Sequence, residues 1–188
     1  FFFKQKTAYE IVDCDWSSDV CSSDLLNESG LPTTLTLIGS QPPEGTVLPP
    51  FVRKTGFINK SDPAGLKQFN DLIAESHFLI LPSRAEAFGI VFCEAASFGV
   101  PSLATRAGGI PTAVRDGGNG KTFPLGTPPA EYAAFIRQHF ADYASYEALA
   151  RSAFREYETR LNWGVSGATA MGHLRAMLAK RRGASAAV

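Results

Sequence analysis

Short apolar runs alternate with stretches of helical periodicity from residue 31 onwards. Thr34–Ile38 is a β-branched run that ends at a glycine, and Val52–Ile58 is a second candidate strand. Asp62-Pro63 is a typical helix start. The helical spacing after it rests on four apolar side chains: Leu66, Phe69, Leu72 and Ile73. The pattern therefore predicts two strands followed by a helix.

A wholly apolar run, Phe78–Leu81, marks the middle of the chain. Such a run without alternation is typical of a strand that is buried on both faces of a parallel sheet. Pro82–Gly89 follows as a predicted loop, Ile90–Phe98 as a helix and Ser102–Thr105 as a strand. A turn at Gly108-Gly109 then leads into a short helix with a proline in its first turn.

The last third of the chain is predicted to be mostly helical. Asp116–Gly120 is a glycine-rich turn, and Lys121–Phe123 is a short strand after it. Three helices follow: Pro128–Phe140, Tyr143–Thr159 and Trp163–Lys180. The last helix has an apolar face: Trp163, Val165, Ala168, Met171, Leu174 and Leu178.

This alternation of strands and helices predicts an α/β fold with a doubly wound, Rossmann-like parallel sheet. Ligands of such sheets bind beyond the carboxyl ends of the strands. The loops Pro82–Gly89 and Arg106–Ile110 are therefore the places to look for a site.

The first 25 residues follow no helical or strand period. They read FFFKQKTAYEIVDCDWSSDVCSSDL, which resembles the conceptual translation of a sequencing-library adapter. We therefore expect residues 1–25 to be a non-native leader, disordered or unrelated to the fold, and residues 26–188 to be one domain that is incomplete at its N-terminus. Leu25-Leu26 and the residues after it look like the last turn of a helix capped by Gly30.

Separating the leader changes the charge and the cysteine count. The whole chain has 18 basic and 18 acidic residues, but the leader holds two lysines and five acidic residues, which leaves 16 basic and 13 acidic ones. A net charge of this size gives no electrostatic indication of a nucleic-acid partner. Of three cysteines only Cys93 remains, and a single thiol in an apolar stretch fits a reducing, cytoplasmic compartment.

Two glutamates, Glu86 and Glu94, stand eight positions apart with Phe88-Gly89 between them. The spacing alone is a weak signal, but a buried strand and Pro-Ser precede it and Gly-Gly-Ile-Pro follows. The whole segment, FLILPSRAEAFGIVFCEAASFGVPSLATRAGGIP, resembles the donor-binding core of glycosyltransferase family 4, the glycosyl transferases group 1, of the GT-B fold. The resemblance extends over about residues 31–180.

The resemblance implies a retaining enzyme that transfers a hexose-type sugar from a nucleotide-diphosphate sugar, with no cofactor and no metal. Glu86 would be the catalytic-site residue that contacts the donor sugar, and Glu94 would accept hydrogen bonds from the ribose. The donor's diphosphate would bind the helix N-terminus formed by Ala87, Phe88, Gly89 and Ile90, where free N–H groups and the helix dipole attract anions. The glycine pair, Gly108 and Gly109, would line the same pocket.

The family pattern also has an Arg/Lys pair upstream and an N-terminal domain that binds the acceptor. Neither is found in this chain, and Arg53, Lys54 and Lys60 are not at the matching place. We therefore expect a truncated donor-binding domain that is inactive alone, from a parent that is cytoplasmic or works at the inner face of the membrane. The basic tail at Lys180–Arg182 is interpreted as solvated, with attraction to an anionic membrane as the alternative.

Other interpretations stay open at this point. A GT-B nucleotide-sugar epimerase or a non-catalytic nucleotide-binding or interaction module would share the architecture. A dinucleotide-dependent oxidoreductase is disfavoured because no Gly-x-Gly-x-x-Gly follows a first strand. Arg84 and Ser83 are interpreted as structural or solvated, His77 as a partly buried structural histidine, and Asp116–Gly120 as a turn bordering the nucleotide base.

Overall fold

A computed structural model describes residues 16–39 and 45–185, with side chains from residue 22 to residue 181. Residues 1–15 of the predicted leader thus lie outside the described residues. The described elements are five strands, seven α-helices and a π-helical turn. In chain order they are α1 (Trp16–Glu28), β1 (Leu35–Ile38), β2 (Val52–Gly56), α2 (Pro63–Ala74), β3 (Leu79–Leu81), α3 (Ile90–Ser97), β4 (Ser102–Thr105), α4 (Ile110–Ala113), β5 (Gly120–Phe123), α5 (Pro129–Ala141), α6 (Tyr143–Glu156), the π-turn (Tyr157–Leu161) and α7 (Trp163–Ser185).

All ladders between the described strands are parallel, which confirms the predicted α/β class. β1 pairs with β2, and the register shifts between Leu37 and Ile38. β3 pairs with β4 and β4 with β5, so β4 is the central strand of a second sheet. The described strands therefore form two sheets, one of two strands and one of three.

Helices cover both faces of the three-stranded sheet. Successive residues of a strand point to opposite faces, and β4 shows this division. Leu103 packs in a cluster with Tyr132 and Ile136 of α5 and Leu26 of α1. Ala104 packs in another cluster, which contains Phe92 of α3 together with side chains from α4. This two-sided cover is the arrangement that the doubly wound pattern predicts.

Local signals place α2 where the sequence predicts it. The Asp62 side chain caps the helix by accepting a hydrogen bond from the Gly65 N–H at 3.0 Å, and Pro63 occupies the first turn. The predicted apolar stripe buries Phe69 and Ile73. They pack with Ala95 of α3 on one side of the sheets.

The β3 strand is less buried than its sequence predicts. Phe78, Leu79 and Ile80 are only half-buried, and Leu81 alone is buried, with 8% of its surface exposed. The reason is pairing: β3 has a described neighbour on one side only, whereas every residue of the central strand β4 is buried. Both faces of β3 are nevertheless covered, as predicted, because Leu79 and Leu81 pack in one cluster and Ile80 packs in another.

The helix α1 begins at Trp16, so the last ten residues of the predicted leader are helical rather than disordered. Ser22 and Ser23 are buried, and the Ser22 hydroxyl donates a hydrogen bond to the Pro129 carbonyl of α5 at 3.1 Å. Small side chains let α1 lie close to α5, so tertiary contact rather than an apolar period explains the helix. As predicted from the sequence, the helix ends just before Gly30, which has a φ of 82°.

Candidate functional site

The two loops singled out in the sequence meet beyond the carboxyl ends of β3 and β4. The Gly109 N–H donates a hydrogen bond to the Glu86 carbonyl at 2.9 Å. The Thr105 hydroxyl, at the end of β4, donates a hydrogen bond to the carbonyl of Ser83. Ser83 is buried. These bonds fix the loop after β3 against the loop after β4, so the position of Glu86 is set by both strands.

Gly108 and Gly109 are required for this close approach. A Cβ at Gly108 would overlap the Glu86 carbonyl oxygen, and a Cβ at Gly109 would overlap the Ala87 carbonyl oxygen. Gly108 also has a φ of 52°, which L side chains rarely adopt. Neither glycine lines the cavity that Glu86 and Glu94 share, because both are pressed against the backbone of the Glu86 loop. Gly108 borders a second, shallow depression, which Arg84, Glu86 and Ala87 also line.

Gly89 lies at the junction between the loop and α3. Its φ of 77° turns the chain into the helix, and a Cβ there would overlap the ring of Phe92, which is fully buried. With glycine at the N-cap, no side chain accepts a hydrogen bond from the first turn of α3. Since the first N–H groups of a helix have no partner within it, this turn presents donors and the positive end of the helix dipole.

Six of the predicted site residues line a single cavity of about 1220 Å³. They are Glu86, Ala87, Phe88, Gly89, Ile90 and Glu94. The Glu86 carboxylate turns back toward the helix start, where its Oε1 accepts a long hydrogen bond of 3.4 Å from the Phe88 N–H. The structure thus brings both carboxylates and the first turn of α3 to one place.

Lys60 is the residue that sequence reasoning missed. It follows β2, and its Nζ lies 2.5 Å from Glu94 Oε1, with both side chains roughly three-quarters buried. The same ammonium group lies 4.5 Å from the centre of the Phe69 ring, a cation–π distance. Lys60 also lines the cavity. No sequence motif marks it, because its partner is 34 positions away in the chain.

Arg84 and His77 are two further residues that the sequence analysis considered. Arg84 is exposed. His77 is exposed rather than partly buried, yet its ring packs against the rings of Phe140 and Tyr146 at 5.2 and 5.5 Å. In the described part of the chain, no group of three or more His, Cys, Asp or Glu side chains is placed to hold a metal ion.

The turn at Asp116–Gly120 lies away from the cavity. Asp116 Oδ1 accepts hydrogen bonds from the Thr122 N–H at 2.7 Å and the Thr122 hydroxyl at 2.8 Å. Burial acts to raise the pKa of the Asp116 carboxyl, but these bonds and the nearby Lys121 ammonium outweigh it and hold the pKa below its usual range. The carboxylate therefore fastens the turn to β5, and the position gives no support for contact with a nucleotide base.

Cys93 lies on α3, one position before Glu94, and is a free, half-buried thiol. Burial is the main cause that raises its pKa; the negative charge of Glu94 adds to this, and Arg160 opposes it. A raised pKa leaves the thiol protonated and unreactive.

None of the helices in the described ranges is both long and apolar enough to cross a membrane.

Known proteins with related sequences are glycosyltransferases. A sequence profile of the family described as "Glycosyl transferases group 1" matches residues 9–142, a range that takes in part of the predicted leader. D-inositol 3-phosphate glycosyltransferase of Streptomyces coelicolor is 36% identical over 107 residues, which are 57% of this chain and 23% of that protein. The chain thus matches about a quarter of the length of the curated relatives.

Solved structures with a similar fold include glycosyltransferases. Sucrose-phosphate synthase from Thermosynechococcus elongatus superposes with a TM-score of 0.66 at 21% identity, over 90% of this chain and 43% of that one. Anabaena HepE, in complex with UDP and glucose, superposes with a TM-score of 0.51 at 26% identity, over 64% of this chain and 32% of that one. The fold is that of GT-B glycosyltransferases, and since the family profile matches more than half of its residues, the chain belongs to the glycosyl transferases group 1 family.

Proposed function

We propose that this chain is the nucleotide-sugar donor-binding domain of a retaining, family 4 glycosyltransferase that transfers a hexose-type sugar. One observation carries the proposal: Glu86, the uncapped first turn of α3 and Glu94 line one cavity beyond the carboxyl ends of parallel strands. Ligands of doubly wound sheets bind at this edge. Related Anabaena HepE holds UDP and glucose, so a uridine diphosphate sugar is the first donor to test.

The diphosphate of the donor binds the first turn of α3 in this proposal. Gly89 lets the backbone come close to a ligand and leaves the N–H groups of the turn without a side-chain cap. Oriented N–H groups and the helix dipole stabilise a bound diphosphate and, in the transition state, the charge that develops on it as the leaving group. We propose that no metal ion takes part in this step.

In this proposal the carboxylates of Glu94 and Glu86 bind different parts of the donor. Glu94 lies in the second turn of α3, where its two oxygens can accept hydrogen bonds from vicinal ribose hydroxyls. Glu86 lies in the loop before the helix, held by the Gly109 N–H through its carbonyl, and reaches hydroxyls of the hexose. Lys60 holds the Glu94 carboxylate in place and brings a positive charge to the cavity.

The acceptor belongs to a part of the parent protein beyond this segment. The chain matches about a quarter of its curated relatives, and GT-B catalysis needs a cleft between two domains. We therefore propose that this chain binds the donor but transfers no sugar by itself. The proposed location is cytoplasmic, which the free thiol of Cys93 supports. The basic end of α7 is proposed to be solvated, with attraction to the inner face of the membrane as the alternative.

Titration calorimetry with UDP-glucose and GDP-mannose tests donor binding. We expect one of the two to bind, and Glu94→Ala to weaken that binding by at least about tenfold, because two charge-assisted hydrogen bonds are lost. Glu147→Ala, which removes an exposed carboxylate on α6, is the matched control and should leave the affinity unchanged.

Three results would count against the proposal or a part of it. Affinity that is the same in Glu94→Ala and in the wild-type chain would place the nucleotide elsewhere. Absence of binding by both donors, with a folded protein by circular dichroism, would favour the non-catalytic interaction module. Release of free glucose from UDP-glucose that is lost in Glu86→Ala would contradict the inactivity of the isolated chain.

A further inference from the structure

Arg160 lies in the π-turn between α6 and α7 and reaches the carboxyl end of α4, far back in the chain. Its Nη1 donates a hydrogen bond to the Thr112 carbonyl at 2.5 Å, and its Nη2 donates to the Ala113 carbonyl at 3.1 Å. The third nitrogen, Nε, donates to Glu156 Oε2 at 2.6 Å. All three guanidinium nitrogens are therefore bound, and only 20% of the side chain is exposed.

These contacts fit an arginine at the end of a helix. The last carbonyls of a helix have no partner within it, so a donor from elsewhere satisfies them. A guanidinium group presents its N–H donors in a planar fork, which can meet two neighbouring carbonyls at once, whereas an ammonium group is a single point of charge. Arg160 therefore fixes both the position and the orientation of the end of α4.

α4 joins Arg160 to the loop that carries Glu86. Ile110 and Ala113, the first and last residues of this short helix, are both fully buried. Directly before the helix, the Gly109 N–H donates to the Glu86 carbonyl at 2.9 Å. Because a close-packed interior leaves no room for one end of α4 to move alone, a shift at Ala113 also shifts Gly109.

The same guanidinium group lies close to α3, the helix that carries Glu94. The π-turn packs against α3. Burial raises the pKa of the Cys93 thiol on α3, and the nearby charge of Arg160 opposes that rise. Arg160 does not line the donor cavity, however. Any effect that it has on a bound donor is therefore indirect.

We propose that Arg160 is a positioning residue of the donor site, which holds α4 and, through the hydrogen bond between Gly109 and Glu86, sets the place of the Glu86 loop. The link from Arg160 to Glu86 is independent of any ligand, whereas its effect on a donor rests on the proposed function. In that function Glu86 contacts the hexose, and the diphosphate and ribose bind α3. Loss of Arg160 therefore weakens binding of the sugar part and spares that of the nucleotide part.

Hydrogen exchange measured by NMR tests the link itself. We expect the Gly109 amide to exchange at least about fivefold faster in Arg160→Met than in the wild-type chain, with the amides of β4 unchanged, because a local contact is lost. Arg115→Met is the matched control: Arg115 faces the same Glu156 carboxylate at 3.6 Å, and none of its described side-chain contacts reaches α4. Arg160→Lys keeps the charge but not the fork, so it should give a smaller rise, and it replaces Arg160→Met if that variant does not fold.

Titration calorimetry tests the effect on the donor. Whichever of UDP-glucose and GDP-mannose binds the wild-type chain should bind Arg160→Met about three- to tenfold more weakly, because Glu86 loses its fixed place. The corresponding free nucleotide, UDP or GDP, should bind both proteins equally, since it has no hexose for Glu86 to contact. A general loss of structure would weaken both ligands alike.

Each outcome decides the proposal. Faster exchange at Gly109 that is confined to the Arg160 variants, with weaker binding of the sugar nucleotide alone, supports it. Equal exchange at Gly109 in Arg160→Met, Arg115→Met and the wild-type chain would overturn it, as would an equal rise at Gly109 and throughout β4. Equal weakening of the sugar nucleotide and the free nucleotide would overturn it as well. If the wild-type chain binds neither donor, the proposed function fails, and the exchange rates alone decide whether Arg160 positions the Glu86 loop.

Discussion

At the scale of single residues, the candidate site depends on an ion pair that spans the chain. Glu94 lies on α3, and Lys60 follows β2. Their side chains are 2.5 Å apart, so the ion pair links the part of the cavity next to the two-stranded sheet to the part next to the three-stranded sheet. An ammonium group next to a carboxylate keeps that carboxylate in one orientation. If Glu94 accepts hydrogen bonds from the ribose as proposed, Lys60 is a positioning residue that acts on the donor through Glu94.

Replacing Lys60 should affect donor affinity by a smaller factor than replacing Glu94. We expect Lys60→Met to weaken nucleotide-sugar binding by about three- to tenfold, since one charge-assisted contact is lost. Lys60→Arg should restore most of the affinity because it keeps the charge. Calorimetry in 0.05 and 0.5 M salt provides the check. Equal affinities in Lys60→Met and the wild-type chain, at both salt concentrations, would show that Lys60 has no part in the site.

At the scale of elements, turns and caps fix where the loops stand. Asn119 is fully buried in the turn before β5, where its side-chain amide donates to the Ala113 carbonyl and its oxygen accepts from the Arg115 N–H. Arg160 of the π-turn donates to the carbonyls of Thr112 and Ala113 at the end of α4. The end of α4 is thus held from two sides, and α4 in turn holds Gly108-Gly109 against the Glu86 loop.

The turn between α4 and β5 should make stability depend on acidity. The folded state lowers the Asp116 pKa below that of the unfolded chain, so this group stabilises the fold above the unfolded pKa, near 4, and the contribution is lost as pH falls through the folded pKa. We expect Asp116→Asn to lower the unfolding midpoint at pH 7 by about 2–4 °C and to reduce the loss of stability below pH 4.

Thermal unfolding from pH 2.5 to pH 7 measures this effect. Glu147→Gln removes one exposed carboxylate from α6 and controls for the change in net charge. A pH profile of Asp116→Asn that runs parallel to that of the wild-type chain would contradict the role given to the turn.

At the scale of the whole molecule, α7 leaves an apolar face without a described neighbour. Trp163 is 82% exposed, and Met171, Leu174, Met177 and Leu178 are each about half or more exposed. Exposed apolar surface of this kind is typical of an interface with another domain or another molecule. The sequence already indicated this face by its spacing, and the structure adds that the described part of the fold does not cover it.

We expect the chain to self-associate through α7 as its concentration rises. Light scattering from about 0.01 to 1 mM should show a rising mean mass. Leu174→Lys should shift this rise to higher concentration, because it places a charge on the apolar face. Ala176→Lys, on the same exposed helix but outside the predicted face, is the control. A constant monomer mass over the whole range in the wild-type chain would refute this expectation.

The sequence by itself determined the class of fold, the order of its elements from β1 onwards, and the loops that carry the candidate site. These follow from local causes: the apolar period of α2 and its Asp62 cap, and the glycine and glutamate spacing around α3. The tertiary structure alone decided three things. Lys60 forms an ion pair with Glu94. Gly108 and Gly109 pack against the backbone of the Glu86 loop rather than lining the cavity. Among the described strands, β3 lies at the edge of its sheet. All three depend on contacts between residues that are distant in the chain or on which strands are neighbours. A local sequence pattern does not encode such contacts.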